Sequence, residues 1–246
     1  MANTTAAEPL RPADLRGYGL RLRTWEYADA PVALRGLNDP EFLRWNTPLV
    51  PVRDEAGARD FIRGRFEGWE RGDAATYAVT EDDEIVGQVA LNLIDRTFSN
   101  ARVGYWVLAE ARGRGVAARA LELCTRWGFS EVGLNRLELG HAMGNIPSCR
   151  VAARCGYAYE GTLRGAMFEA GSKDVFRDVH LHARLATDPP PSGFSEAGRL
   201  ESGHSDSGRL EPGSSDSADA AGAETGVAGE GGEAGEAAGL VAPAGT

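Results

Sequence analysis

Arg112-Gly113-Arg114-Gly115-Val116-Ala117 is the stretch that decides the fold of this chain. It follows a strand-like run at 102–108 and opens a helix-like run that continues through Trp127. A strand, a glycine-rich turn and a helix in this order present bare backbone N–H groups to a phosphate. The turn therefore predicts a loop that binds a pyrophosphate.

The residues of this turn leave three interpretations open. A nucleotide P-loop needs a lysine and then a serine or threonine after its last glycine, where this chain has Val116 and Ala117. A dinucleotide fingerprint needs a third glycine, which the Gly113-x-Gly115 spacing lacks, and it opens a βαβ unit. A plain helix start, with glycines that allow a tight turn, fits the turn as well as phosphate binding does.

Outward from the turn, the hydrophobic periodicity predicts a mixed α/β domain. Apolar residues alternate in the strand-like runs and recur every three to four positions in the helix-like runs. From Leu20 to Leu185 the predicted order is β-α-α-β-β-β-α-β-α-β-β, and it ends in a hairpin that turns at 170–173.

Composition divides the chain into three parts. Residues 1–17 are small and polar and are predicted to be a flexible lead-in, followed by the folded domain at 18–186. From Thr187 onward, 13 of 60 residues are glycine, 11 are acidic and 2 are basic. Too little apolar surface is present there to bury a core, so 187–246 is predicted to be a disordered tail.

Charge and cysteine content exclude several classes of protein. The net charge of −10 belongs to the tail, because 25 acidic and 24 basic residues precede it, and this balance is not that of a nucleic-acid-binding protein. Cys124, Cys149 and Cys155 form no Cys-x-x-Cys pair and no convincing arrangement with a histidine, so neither a disulfide framework nor a metal site is predicted. No signal peptide and no apolar run of membrane length is found, which predicts a cytoplasmic protein without a membrane partner.

Longer motifs around the turn resemble those of a known family. Arg112-x-x-Gly115-x-Ala117, after the strand Gly104-Tyr-Trp-Val107, resembles the acetyl-CoA pyrophosphate motif of the GCN5-related N-acetyltransferases (GNAT). The segments Asn145-Ile-Pro-Ser148, Glu160-Gly-x-Leu-Arg164 and Arg177-Asp-Val-x-Leu181 resemble the RimJ/RimL-type branch. That branch includes enzymes that acetylate the N-terminal amine of ribosomal proteins. The resemblance spans roughly residues 20–185.

The resemblance implies a fold and a donor substrate. The fold is a twisted, mostly antiparallel central sheet of about seven strands with about four flanking helices, splayed between the strands at 101–108 and 134–141. Acetyl-CoA is the implied acyl donor. Its pyrophosphate is expected on the backbone of 112–117, and its pantetheine arm in the splay. The residues implied for the arm are Trp106, Val107, Leu108 and Asn145.

Ser148 is the first candidate for the chemistry. It matches the family serine beside the cofactor sulfur, where a hydroxyl donates a hydrogen bond to the departing thiolate. Serine at a helix start is also an ordinary N-cap, and the two roles are compatible. Asn145 is either a pantetheine contact or a turn asparagine before Pro147.

The general base is less determined. RimL-like enzymes carry a glutamate where this chain has Met167, and Glu169 falls on the same strand face two positions later. Asp178 matches a family aspartate that either orients substrate or locks the hairpin. His141 ends the strand beside the splay and is expected to face solvent, although a histidine there is also a candidate base.

Taken together, these residues predict an acetyl-CoA-dependent N-acetyltransferase in which a primary amine attacks the thioester directly. The acceptor is either a protein N-terminus or an amine-bearing small molecule, and Met167 weakens the case for a ribosomal protein. One alternative is an acyltransferase for a bulkier donor such as succinyl-CoA. Another is a non-catalytic CoA-binding regulatory protein. A homodimer is one option for the oligomeric state.

Overall fold

The computed structural model describes residues 8–194 and 201–204. Five α-helices lie in these ranges: α1 (Ala30–Leu37), α2 (Pro40–Trp45), α3 (Glu55–Arg71), α4 (Val116–Ser130) and α5 (Ile146–Arg154). The strands are β1 (Ala13–Gly17), β2 (Leu20–Thr24), β3 (Ala75–Glu81), β4 (Glu84–Asp95), β5 (Asn100–Val107), β6 (Arg136–Ala142), β7 (Ala158–Phe168), β8 (Phe176–Leu185) and β9 (Glu201–His204).

All nine described strands form one sheet in the order β7-β8-β6-β5-β4-β3-β2-β1-β9. Every neighbouring pair is antiparallel except β5 and β6, which are parallel and joined through α4. The mixed α/β fold with a mostly antiparallel sheet is thus confirmed.

The parallel pair β5–β6 stays together for only a few residues. Three pairs are formed, from Asn100↔Arg136 to Arg102↔Glu138, after which the two strands separate. Beyond that point β5 keeps its pairing with β4 as far as Val107, and β6 keeps its pairing with β8 as far as Ala142. The predicted splay between 101–108 and 134–141 is confirmed and begins after the third pair.

Two hydrophobic cores hold the helices on the sheet. One joins the sheet to α4 and α5 and includes Tyr105, Leu121 and Leu139; the other joins it to α1, α2 and α3 and includes Trp25, Ile62 and Trp106. Successive side chains of a strand point to opposite faces, so neighbours such as Tyr105 and Trp106 belong to different cores.

Three elements were missed by the sequence analysis: β1, α2 and β9. The Asn38-Asp39-Pro40 run was interpreted as a helix stop, but it also starts α2. The Asp39 carboxylate accepts hydrogen bonds from the N–H groups of Glu41 and Phe42, and Pro40 occupies the first turn. An aspartate N-cap followed by proline is a start signal as much as a stop signal.

The predicted lead-in at 1–17 is wrong at its C-terminal end. Within it, β1 buries Ala13 and Leu15 and pairs with β2. The two strands are joined by Tyr18 and Gly19, which have φ values of 54° and 72°. Positive φ at both central positions is the mark of a type I′ hairpin turn, which suits the twist of the strands it connects. Residues 1–7 of the lead-in lie outside the described residues.

The domain also extends beyond the predicted boundary at Ala186. Phe194 is only 7% exposed and packs edge-on against Tyr18, with ring centroids 5.3 Å apart. Further along, β9 pairs with β1 in register from Ala13↔His204 to Arg16↔Glu201. The predicted disordered tail is therefore wrong for 187–194 and 201–204, and its remaining residues lie outside the described ones.

Among the described helices, none combines the length with the apolar character that a bilayer crossing requires.

Phe194→Ala should destabilise the domain by about 3 kcal/mol, because it removes a buried aromatic ring from its contact with Tyr18. Phe98→Ala is the matched control, since Phe98 is 74% exposed and loses little. Urea unfolding of both variants measures the difference. Equal midpoints for the two variants would contradict the packing role of Phe194.

Candidate active site

The glycine turn leads directly into α4 and leaves its N-terminus without a side-chain cap. Gly113 and Gly115 have φ values of 74° and 73°, a left-handed conformation that favours glycine at both positions. Gly115 is the N-cap residue, and no side chain bonds to the first turn. The N–H groups at the start of a helix lack intrahelical acceptors and form the positive end of the helix dipole. The turn is therefore built to receive an anion.

A cavity of about 210 Å³ lies against this turn. One wall is the loop and first turn of α4, and the opposite wall is one face of α5. The lining residues are Val107, Ala111, Arg112, Gly113, Gly115, Val116, Ala117, Ala118, Pro147, Arg150, Val151 and Arg154.

Arg150 and Arg154 are cavity residues that the sequence analysis missed. They are four positions apart on α5 and so share a helix face. The Arg154 guanidinium lies 3.9 Å from the place where a Cβ on Gly115 would stand. Neither arginine is paired with a carboxylate within the described ranges. Their four-residue spacing on the helix that begins beside Pro147 was the sequence signal that could have identified them.

Arg112 and Arg114, the two predicted arginines of the turn itself, form ion pairs with carboxylates outside the turn. Arg112 donates from Nε to the Val107 carbonyl at 3.1 Å and pairs with the Asp39 carboxylate, which also caps α2. Arg114 pairs with Glu81, a carboxylate that it shares with Arg119. The turn therefore offers its backbone to the cavity, while α5 supplies side-chain cations without a carboxylate partner.

Of the four residues predicted for the pantetheine arm, the three consecutive ones, Trp106, Val107 and Leu108, differ in which way their backbone points. The Leu108 N–H donates to Val86 at 2.9 Å, and its carbonyl accepts from Ala111 at 2.9 Å. Since successive N–H and C=O groups point to opposite edges of a strand, the backbone groups of Trp106 face β4 and those of Val107 face the splay. The Trp106 ring is buried in the core against α1–α3. Val107 is thus the member of this trio with backbone groups on the splay side.

Ser148 and Asn145 meet at the start of α5. The Asn145 side chain accepts from the Ser148 N–H at 3.2 Å, so Asn145 is the N-cap and Ser148 is not. The Ser148 hydroxyl accepts a hydrogen bond from the Tyr105 hydroxyl at 3.2 Å, and both side chains are buried. Burial raises the pKa of Tyr105, and the bond to Ser148 opposes that change. Tyr105, on the strand that borders the splay, was not among the predicted site residues.

Glu169 and Asp178 make their side-chain contacts within the β7–β8 hairpin. The Glu169 N–H donates to the carbonyl of Val175, which lies just before β8. Val175 is four residues from Val179, the residue that pairs with the end of β6. Four strand residues span about 13 Å, so Glu169 lies at the hairpin tip, where it pairs with Arg177 at 3.3 Å. The Asp178 carboxylate accepts from the Gly165 N–H at 2.9 Å across an irregular stretch of β7–β8. This contact matches the hairpin-locking role of Asp178.

His141 does not face solvent as expected. It is fully buried, and its Nε2 lies 3.3 Å from Cys149 Sγ and 3.3 Å from His182 Nε2. Burial lowers the pKa of His141 to about 4, and the nearby His182 and His180 act in the same direction. No convincing arrangement of a cysteine with a histidine was evident in the sequence. The structure assembles one from β6, α5 and β8.

Comparison with known proteins agrees with the fold. The sequence profile of the acetyltransferase (GNAT) domain matches residues 19–158. An uncharacterized N-acetyltransferase p20 of Bacillus licheniformis is 31% identical over 147 residues, covering 59% of this chain and 82% of that protein. The ribosomal-protein-serine acetyltransferase of Escherichia coli K12 is 28% identical over 151 residues, covering 61% and 78%.

A solved structure, Mycobacterium smegmatis RimJ in complex with CoA-disulfide, superposes with a TM-score of 0.64 at 24% identity, covering 73% of this chain and 90% of that one. This similarity shows the fold. The profile match spans more than half of the 246 residues, with the uncapped start of α4 inside it. The chain belongs to the GNAT family of acetyltransferases, with RimJ-type enzymes among its structural neighbours.

Proposed function

We propose that this chain transfers the acetyl group of acetyl-CoA to the N-terminal amine of a protein. The observation that carries the proposal is the separation of β5 from β6 beside the uncapped start of α4. An open strand edge suits an extended, amide-bearing arm, and a helix N-terminus suits the pyrophosphate that follows it in CoA. Val107, at the end of β5, and the first turn of α4 line the same cavity, so one bound donor could use both features.

The phosphates would be held from two sides. The first-turn N–H groups of α4 supply donors without side-chain competition, and Arg150 and Arg154 supply charge from the opposite wall. Guanidinium groups bind phosphate through paired N–H donors, so two on one helix face strengthen the site. The Val107 N–H on the splay side is the proposed donor to the arm or to the thioester oxygen.

Ser148 and Tyr105 are proposed to serve the leaving thiolate. Tyr105 donates its hydrogen bond to Ser148, so the serine hydroxyl is the acceptor within this pair. The role proposed for that hydroxyl is donation to the departing sulfur. Donation to the sulfur stabilises the negative charge that develops when the C–S bond breaks. The amine attacks directly, which requires no covalent intermediate on the protein.

The acceptor is proposed to enter at the hairpin tip. There the β7–β8 turn is tied to the segment after α2 by the bonds of Thr47 to the Glu169 carbonyl at 2.8 Å and of Lys173 to the Leu49 carbonyl at 2.8 Å. The exposed apolar side chains around this tip are Leu49, Val50, Val175 and Phe176. Such a surface suits a polypeptide, and Glu169 is proposed to steer the incoming N-terminus at the tip, before the amine moves on to the thioester. The relative from Escherichia coli is named for acetylating a ribosomal protein at serine, which favours the same class of acceptor.

The proposal is tested by following free CoA during incubation with acetyl-CoA and a panel of acceptors. The panel contains peptides with free N-termini, the same peptides with blocked N-termini, and small amines. Release with the free peptides alone is expected. Turnover of small amines alone would overturn the choice of acceptor, and turnover with succinyl-CoA but not acetyl-CoA would overturn the choice of donor.

Ser148→Ala should lower kcat by about 100-fold and leave the affinity for acetyl-CoA nearly unchanged, because the hydroxyl acts on the leaving sulfur. The change also leaves the buried Tyr105 hydroxyl without this acceptor, so stability falls as well. Tyr105→Phe removes the same hydrogen bond and keeps the serine, and it should retain more activity. Equal loss of kcat in both variants would show that the bond, not the serine, matters.

Arg154→Gln should raise the Kd of CoA by about tenfold, the effect of losing one charge-assisted hydrogen bond to a phosphate. Arg63→Gln is the matched control, because Arg63 lies on α3 and pairs with Asp60 at 2.8 Å at the surface. Calorimetric titration with CoA measures both. An unchanged Kd for Arg154→Gln would place the phosphates elsewhere.

A further inference from the structure

Four side chains that bind metals converge beneath α5, outside the cavity described above. They are His141 of β6, Cys149 of α5, and His180 and His182 of β8. One nitrogen or sulfur atom from each lies within 4.8 Å of all the others. The cluster holds three of the four histidines in the whole chain.

Three of the six distances between these ligand atoms match the edges of a coordination tetrahedron. Zinc lies about 2.0–2.1 Å from a histidine nitrogen and about 2.3 Å from a cysteine sulfur, which gives edges of about 3.3 Å between nitrogens and about 3.6 Å between nitrogen and sulfur. His141 Nε2 to His182 Nε2 is 3.3 Å, Cys149 Sγ to His141 Nε2 is 3.3 Å, and Cys149 Sγ to His180 Nδ1 is 3.5 Å. The side chains thus stand where ligands of one ion would stand.

The register of the sheet holds this arrangement in place. His141 is directly opposite His180 in the β6–β8 pair, and His182 is opposite Leu139, two residues along on the same face. The backbone of two paired strands therefore positions all three histidines. The α5 residue next to Ser148 adds the sulfur.

The tautomer of His141 suits a ligand. Its Nδ1 lies 3.0 Å from the Ala142 carbonyl, and a carbonyl only accepts, so Nδ1 carries the hydrogen and Nε2 presents its lone pair to the cluster. This is the usual outer support of a histidine that binds a metal.

We propose that His141, Cys149, His180 and His182 bind one zinc ion in a closed, tetrahedral site that fastens α5 to the sheet. Binding forms one Zn–S and three Zn–N bonds and releases one proton, that of the Cys149 thiol. A four-ligand set without an open position is the pattern of structural zinc. The ring of Tyr159 packs edge-on against both His180 and His182, with centroid distances of 5.3 Å and 5.4 Å.

A cysteine–histidine pair for covalent catalysis is the competing explanation. That role needs a thiolate next to an imidazolium. Here the His141 Nε2 atom is not dedicated to the cysteine, because it lies 3.3 Å from both Cys149 Sγ and His182 Nε2. The cluster also holds two further histidines that such a pair does not require.

The test uses the untagged full-length chain, stripped with a chelator and titrated with Co²⁺ as the spectroscopic substitute for zinc. The expected result is one equivalent of Co²⁺ bound, with the visible bands of a tetrahedral site and a near-ultraviolet sulfur-to-cobalt charge-transfer band. Zinc should displace it and raise the melting temperature of the stripped protein by several degrees. Absence of stoichiometric tetrahedral Co²⁺ in the wild-type chain overturns the proposal.

Matched variants assign the ligands. Cys149→Ser should abolish the charge-transfer band, and His182→Asn should abolish tight binding. Cys124→Ser and His204→Asn change a thiol of α4 and a histidine of β9 and should keep the full spectrum. A charge-transfer band that survives Cys149→Ser, or disappears in Cys124→Ser, overturns the assignment. Because the readout is the metal and not turnover, the result does not depend on the acceptor or donor of the transferase.

Discussion

The separation of β5 from β6 is the constraint on which the rest of the structure depends. The two strands form three pairs and then diverge, yet neither becomes an isolated strand, because β4 continues to hold β5 and β8 continues to hold β6. The opening therefore costs only the hydrogen bonds along two facing edges. Those edges carry polar backbone without a strand partner, which a sheet elsewhere pairs or covers, and the Val107 carbonyl accepts from Arg112 instead. A ligand with amide groups can satisfy them.

The opening is held by contacts that cross from one side to the other. Tyr105 of β5 donates to Ser148 at the start of α5, which follows β6, so a buried hydrogen bond links the two sides where their backbones no longer meet. At the mouth, Arg112 joins the glycine turn to Asp39 and so to the N-terminus of α2. A groove held in this way can be rigid before any ligand arrives, which reduces the entropy lost on binding.

The sequence was most informative where function depends on neighbours along the chain. The left-handed φ values of Gly113 and Gly115 are local and agree with the tight turn predicted from the two glycines. The cap of α5 is local as well, but it was predicted at Ser148 and lies at Asn145. The strand β1 and the packing of Phe194 could not be predicted, because each depends on a partner far away in the sequence. The same holds for the direction in which a side chain such as Arg112 turns, which is set by a carboxylate 73 residues away.

The histidine cluster shows this limit most clearly, because its four members have no motif spacing. His141 and His180 become neighbours only through the β6–β8 register, and Cys149 joins them only because α5 folds back over β6. The strand β6 consequently has two functions, one at each edge. Its edge towards β5 borders the splay, and its edge towards β8 positions the histidines of the cluster. Cys149 and Ser148 are adjacent on α5. A contact that fixes the position of Cys149 therefore also fixes the position of Ser148 relative to the splay.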